Sequence, residues 1–430
     1  MNLLNLPDYT VLHVEEGREE YRVTVQVTRS HAACPTCQTG LPVVDRWSRL
    51  TQTYRDLPMH GKRVVIEIER QRFRCRTGNH TFMEPLPGMD DGHRMTARMT
   101  AYIEETALRR PFAHIATELG INEGTVRRIA LEAVEELERR LVIETPTWLG
   151  IDELHLTSQP RAIFTNVKAR TLVDMLPKRD VKSVAKRLSE FRQRDKIELV
   201  LMDMWRPYKQ ATHDILPQAR IVIDKFHVVK MASEAMERIR KDLRETLTDR
   251  QRRTLKRDRF ILLKRQHNLK EEDQMLLLTW LDNFPNLAAA YHLKETIYEI
   301  WDLTDRAEAE RRYKLWEAAI PADLTYAFHD LTRALKNWHE EAFSYFDHGA
   351  AATNAYTEAM NGVAKVLNRL GRGYSFEMIR AKMLFSPSQR KEVVSTPKED
   401  PVVTSGRTWA DLRRDLEKYL AERESTEKSG

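Results

Sequence analysis

Four acids in this sequence stand where they could do chemistry together. In the stretch 196–230, KIELVLMDMWRPYKQATHDILPQARIVIDKFHVVK, the apolar run from Ile197 to Met202 ends on Asp203, and the run from Ile221 to Ile223 ends on Asp224. Asp152 interrupts a third apolar run, and Glu358 opens a helical one. Short runs of Ile, Val and Leu without polar alternation are the mark of strands buried on both faces. A carboxylate at the end of such a strand serves either as a helix N-cap or as a metal ligand. Three acids gathered at one sheet edge repel each other and resist desolvation, so they persist only with cations. Two divalent ions about 3.5–4 Å apart, bridged by an aspartate, are the arrangement used for in-line phosphoryl transfer on DNA. Oxygen ligands suit Mg²⁺ or Mn²⁺.

A second group is built for a different metal. Cys34-Pro35-Thr36-Cys37 places two thiols on a tight turn, and Cys75 and His80 follow a strand-like run from Val64 to Phe73. Two ligand pairs spaced this way staple a small β unit around a four-coordinate structural zinc. The other reading is that Cys75 merely packs and His80 lies on the surface. Three cysteines in 430 residues cannot form a disulfide framework, and an odd count in a reducing compartment points to thiols or metal ligands.

Composition narrows the partners. Seventy Lys and Arg against 64 Asp and Glu give a net charge of +6, and the pI is near 9.0, which favours nucleic acid mildly. No apolar run is long enough to span a membrane, and the N-terminus MNLLNLPDYT lacks a secretory pattern. The expectation is a soluble cytoplasmic protein with no membrane partner, associated with the nucleoid when bound to DNA.

The elements that must position these residues read in order. Residues 8–30 alternate as a hairpin around Glu16-Gly17. From Met95 the pattern turns helical: Phe112 to Ile121 forms a short helix closed by Gly120, and Asn122 caps the next, with Val126, Ile129, Ala130 and Ala133 on one side and Arg127 and Arg128 on the other. This fits a helix-turn-helix whose second helix reads a major groove, although the same arrangement also occurs in proteins that never touch DNA. Pro146 breaks the helix. Strands at Trp148 to Leu156, Ala162 to Val167 and Thr171 to Leu176 precede a helix from Val181 to Phe191, and then come strand, helix and strand. The order βββαβαβ is that of the ribonuclease-H-like fold, and it sets Asp152 and Asp203 side by side at the carboxyl edge of the sheet.

Residues 231–345 read as an all-helical insertion, with Trp280, Trp301, Trp316 and Trp338 in its core and a basic run from Arg250 to Phe260. A loop from His348 to Asn354, whose last residues can cap a helix, leads into Ala355 to Leu370. There Ala359, Val363, Val366, Leu367 and Leu370 form an apolar stripe expected to pack on the sheet, while Glu358, Asn361, Lys365 and Arg369 form a polar face that brings Glu358 to the aspartates. From Ser386 the tail loses hydrophobic density, and only Trp409 to Leu420 looks helical. The expected division is a zinc-binding β module at 1–92, a helix-turn-helix region at 93–145, an α/β ribonuclease-H-like core at 146–232 and 348–385 split by a helical insertion at 233–347, and a tail at 386–430.

Taken together, these motifs resemble the bacterial insertion-sequence transposases of the DDE class, specifically the ISL3 family. The resemblance runs from about Cys34 to Leu384. It rests on CPTC with Arg74-Cys75, the helix-turn-helix, Gly150-Ile151-Asp152-Glu153, Asp203-Met204 with Tyr208, IVIDKFHVVK, Ala290-Tyr291-His292-Leu293-Lys294-Glu295, and TNAYTEAMN followed by Gly371-Arg372-Gly373-Tyr374. His80 stands where similar proteins usually carry a fourth cysteine, and Ala355 where they often have glycine. The resemblance implies an enzyme that binds the terminal inverted repeats of its own element and cleaves and joins DNA strands. It implies double-stranded DNA partners at element ends and target, and at least a dimer in the active complex. Asp152, Asp203 and Glu358 are then the catalytic metal ligands. Strand count favours Asp203 over Asp224 as the second acid, and Asp224-x2-His227 resembles an accessory signature of related transposases. Asp224, His227 and Asn361 become supports, and Arg127, Arg128, Lys365 and Arg369 become DNA contacts. The competing readings are a catalytically silent DNA-binding regulator descended from such an enzyme, and a ribonuclease-H-like nuclease with another substrate.

Overall fold

The computed structural model describes residues 4–28, 34, 36, 44–76, 78–371 and 373–385. Cys37, Arg372 and the helical reading at Trp409 to Leu420 lie outside the described residues. The chain divides into two compact units, the second being Ile143–Leu384.

The first unit begins with the expected hairpin, β1 (Tyr9–Glu16) and β2 (Glu20–Val27). It continues with β3 (Val44–Met59), β4 (Lys62–Cys75), β5 (Thr81–Met83), β6 (Met89–Asp90) and β7 (Met95–Thr96), in the sheet order β1-β2-β4-β3-β7-β6 with β5 on β4. The 16-residue β3 is absent from the sequence reading. Its period-2 alternation is carried by polar residues: Gln52, Tyr54 and Asp56 are the inward ones, and all are buried. Each is satisfied inside. Arg70 donates to Gln52 Oε1 at 3.1 Å and to Asp91 at 2.8 Å, while Thr96 Oγ1 donates to Asp56 at 2.6 Å. Buried polar side chains survive only when paired, and here pairing replaces the apolar signal.

Helices α1 (Ala97–Ala107), α2 (Phe112–Leu119) and α3 (Glu123–Arg139) follow. Gly120 adopts φ 64° at the turn, a conformation that favours glycine, and Asn122 caps α3 by accepting from Gly124 N. The β module grips this turn directly. Arg55 donates to Gly120 O at 2.7 Å, and a Cβ at Gly120 would lie 2.4 Å from Arg63 Cδ. Sheet and helix-turn-helix therefore form one packed body.

The second unit holds β8 (Trp148–Leu156), β9 (Gln159–Asn166), β10 (Thr171–Leu176), α4 (Val181–Ser189), β11 (Leu199–Met202), α5 (Arg206–Ile215) and β12 (Arg220–Ile223). The sheet order is β10-β9-β8-β11-β12, antiparallel through the first three and parallel across β8, β11 and β12. Helices α6 (Lys225–Leu243), α7 (Asp249–Arg257), α8 (Arg259–Leu263), α9 (Glu271–Asn283), α10 (Pro285–Ile300), α11 (Arg306–Ala318), α12 (Thr325–Asn337), α13 (His339–Phe343) and α14 (Tyr345–His348) form the stretch between β12 and α15 (Ala355–Leu370), and α16 (Phe376–Leu384) closes the unit. All four insertion tryptophans are buried, and one continuous apolar cluster runs from Leu149 on the sheet to Trp338. The helices thus share the core of the sheet. Lys294, fully buried, pins the C-terminal end of α8 by donating to Leu262 O at 2.9 Å and Lys264 O at 2.8 Å.

Helix α15 corrects the expectation for its apolar stripe. Ala359 is exposed, as are Val363, Val366 and Leu370 at 45%, 43% and 59%, while Thr357, Asn361 and Ala364 are the buried positions on the helix, which packs on β8 and β9. Nor does the Asn354 side chain cap α15. It donates to Ile151 O at 3.3 Å and accepts from Thr357 Oγ1 at 2.5 Å, and Thr357 meets Thr165 at 2.7 Å. The reason is close approach: Gly150 lacks a side chain at this spot, and a Cβ there would lie 2.5 Å from both Thr165 and Thr357 and 2.7 Å from Asn354. Hydrogen-bonding side chains, not large apolar ones, fit that gap. Gly150→Ala is therefore expected to destabilise the chain by about 1–3 kcal/mol through overpacking, read as a lowered midpoint in denaturant unfolding.

Candidate active site and metal centres

The parallel register pairs Ile151 with Met202, so Asp152 on β8 and Asp203, the first residue past β11, are neighbours. Burial pushes the Asp152 carboxyl up to about 8, and the charge and close approach of Asp203 add to the shift. Asp152 accepts from Glu153 N at 2.7 Å and from Asn361 Nδ2 at 2.7 Å. His227 Nε2 lies 3.0 Å from Asp203 Oδ1. Burial alone lowers the His227 pKa, but pairing with Asp203 outweighs it, and the net shift is upward. Glu358, in the first turn of α15, is half-buried, and its carboxyl is pushed up by burial and then by the charge of Asp224.

This set is all oxygen apart from His227, electrically frustrated and short of positive charge, which fits divalent cations of the Mg²⁺ class. The three acids are not drawn into one tight cluster. Among the described residues, the group of three ligands with atoms within 4.8 Å of one another is Cys34, Cys75 and His80.

Asp224 is used differently. It is 2% exposed, and both its oxygens are taken by the chain itself. Oδ1 accepts from Phe226 N at 2.8 Å, capping α6, while Oδ2 accepts from Asn354 N at 2.5 Å and Thr353 Oγ1 at 3.2 Å. Asp224 therefore ties the end of β12 to the loop that launches α15. Asn354, Thr357, Thr165 and Gly150 complete this tie and are residues that the sequence reading did not single out for it. The available signal was Gly150, a glycine inside a buried strand, which marks close approach of another segment. Asp174 is a useful contrast: it too is an acid within a buried strand, yet Arg187 and Arg380 each pair with it at 2.8 Å.

In the first unit, Cys34 Sγ lies 3.1 Å from His80 Nε2, and Cys75 N donates to His80 O at 2.8 Å. The two thiols and the imidazole suit zinc; Cys37 lies outside the described residues. Arg127 pairs with Glu123 at 3.1 Å and stacks on Phe112, whereas Arg128 is exposed and lines a cleft of about 800 Å³ together with Arg22, Arg55 and Arg94. Lys365 and Arg369 are exposed on α15. No helix among the described residues is long and apolar enough to cross a membrane.

A β module with a Cys/His cluster, a helix-turn-helix and an acid-edged α/β unit are the parts expected of a DNA-binding transposase. Residues 149–383 match a transposase family, ISL3, residues 84–134 match the helix-turn-helix domain of transposase family ISL3, and residues 30–78 match the zinc-finger of transposase IS204/IS1001/IS1096/IS1165. The chain belongs to the ISL3 family of transposases. It is also similar to the transposase for insertion sequence element IS1001 of Bordetella parapertussis, with 24% identity over 332 residues that cover 74% of this chain and 80% of that protein.

Two measurements check the metal chemistry. Purified full-length chain is expected to carry about one zinc, and Cys75→Ser to lose it with unfolding of the module, as read by elemental analysis. The second is pH dependence without added Mg²⁺ or Mn²⁺. Asp152 and His227 both have raised folded pKa values, so the native state holds more protons than the unfolded state from about pH 4 to pH 8. Without bound Mg²⁺ or Mn²⁺, the stabilisation these two groups contribute is therefore greatest on the acid side of this window and is lost as pH rises toward 8, and Mg²⁺ or Mn²⁺ is expected to restore stability in thermal melts at pH 8.

Proposed function

We propose that this chain binds the terminal inverted repeats of an insertion sequence and catalyses DNA strand cleavage and strand transfer. The reading is carried by one observation, the pairing of Ile151 with Met202 that makes Asp152 and Asp203 adjacent at the carboxyl edge of a β10-β9-β8-β11-β12 sheet. That strand order, with three antiparallel strands followed by two parallel crossovers, supports a ribonuclease-H-like core. Asp152, Asp203 and Glu358 would hold Mg²⁺ or Mn²⁺, which when bound supply an activated water or 3′-hydroxyl and stabilise the leaving oxygen. Asn361 orients Asp152 through its amide, and His227 steadies Asp203. Asp224 acts by position, holding the start of α15 so that Glu358 faces the aspartates.

Zinc would be structural in the module at 1–92, and the helix-turn-helix at 93–145 would engage DNA through Arg128 and the arginine-lined cleft. Arg127, partly spent on Glu123, contributes less. Synapsis of two element ends requires at least a dimer during the reaction.

The test is a labelled element end incubated with the full chain and Mg²⁺ or Mn²⁺. Cleavage and strand transfer are expected; binding without either would identify a silent regulator instead. Asp203→Asn is expected to abolish cleavage while leaving binding and folding intact. Asp224→Asn puts an amide against Asn354 N and is expected to cost about 1–3 kcal/mol of stability, measured by denaturant unfolding. Near-normal cleavage by Asp203→Asn would overturn the assignment.

A further inference from the structure

Two large aromatic side chains stand in the open at the edge that carries the acids. Trp205, two residues past Asp203, is 38% exposed, and Phe226, adjacent to His227, is 50% exposed. The insertion tryptophans show the contrasting habit: Trp280, Trp301, Trp316 and Trp338 are all at or below 8%. Isolated exposed aromatics are ordinary on protein surfaces. These two are distinguished by what holds them. The Arg179 guanidinium lies 4.2 Å above the Trp205 ring and pairs with Glu153, the neighbour of Asp152. The Phe226 ring stands edge-on to His227, with centroids 6.0 Å apart, and His227 in turn reaches Asp203. Neither ring caps a helix: the Trp205 side chain makes no capping hydrogen bond to α5, and the contact of Phe226 with the Asp224 cap is made by its backbone N–H.

We propose that Trp205 and Phe226 form a stacking site for an unpaired nucleobase of the DNA strand presented to the acids. This rests on the function proposed above and adds to it a requirement for local strand opening. A phosphate inside a stacked duplex is flanked by base pairs, and drawing it into an edge bordered by protruding rings displaces a base. That base then exposes both faces to water, and an aromatic ring can take one of them irrespective of sequence, because every base has a π-face. Arg179 holds the indole in place and adds a cation to the stack. Arg206 at the start of α5 and Lys230 on α6 are exposed and supply positive charge for the flanking phosphates.

The experiment uses the full chain without added Mg²⁺ or Mn²⁺, so that no strand is cut, irradiated with an oligothymidylate carrying 5-iododeoxyuridine, single-stranded or annealed to its complement. Mass spectrometry locates the cross-links. The expected result is cross-linking at Trp205 or Phe226 that falls about ten-fold or more when the oligonucleotide is annealed, and that Trp205→Phe retains. A Trp205→Ala/Phe226→Ala chain should lose it while still shifting a duplex element end in a gel. Absence of cross-links at both rings, or equal cross-linking of single strand and duplex, would overturn the stacking site. The two readings fail separately: cross-links at the rings in a chain that never cleaves element ends sink only the strand-transfer reading, and cleavage without such cross-links sinks only the stacking site.

Discussion

The structure of the second unit depends on a hydrogen bond between residues far apart in the chain, from Asn354 N to the buried carboxylate of Asp224 at 2.5 Å. Nine helices intervene between the two, so loop-closure entropy opposes the contact. It is held by a set of buried polar partners in which Asn354, Thr357 and Thr165 satisfy one another and the Ile151 carbonyl above Gly150. Inside a protein, an interlocked group of this kind is costly to leave half made, so it closes in one geometry or not at all. That is the property a helix needs if it is to deliver Glu358 from the end of the fold to acids at its beginning.

The same constraint explains why α15 presents its apolar residues outward. An apolar stripe packs well on a sheet that offers ordinary helix–sheet spacing. Here the first turn of the helix rides over a glycine where Thr357 fits, and Val363, Val366 and Leu370 lie on the exposed face. Periodicity correctly identifies an amphipathic helix, but which face turns inward is decided by the partner surface, and that surface is assembled from Gly150 and Thr165 on strands about two hundred residues upstream.

The insertion and the sheet share one apolar core, which makes the helices part of the support of the acid edge. Lys225 and Arg265 both pair with Asp302 at 2.6 Å, linking the first turn of α6, where His227 sits, to the helical layer. Through His227 this layer also reaches Asp203 at the edge. Asp174 shows the alternative outcome for an acid in a strand, two arginines and no remaining demand for a cation.

Much was legible in the residues alone: the βββαβαβ order, the helix-turn-helix with its Gly120 turn and Asn122 cap, and the thiol and imidazole spacing. Each is local, set by periodicity, capping chemistry or φ at a single glycine, so sequence by itself determines it. The adjacency of Asp152 and Asp203 was also legible, because parallel crossovers bring consecutive strand ends to one edge. What lay beyond the sequence was decided by contacts between distant segments. Strand β3 was hidden because its buried alternation is polar and becomes favourable only beside Arg70, Asp91 and Thr96. Whether Asp224 binds metal or backbone depends on Asn354 arriving beside it, and the inward face of α15 depends on Gly150. These outcomes rest on close approach and on the pairing of buried polar groups, which only the tertiary structure supplies.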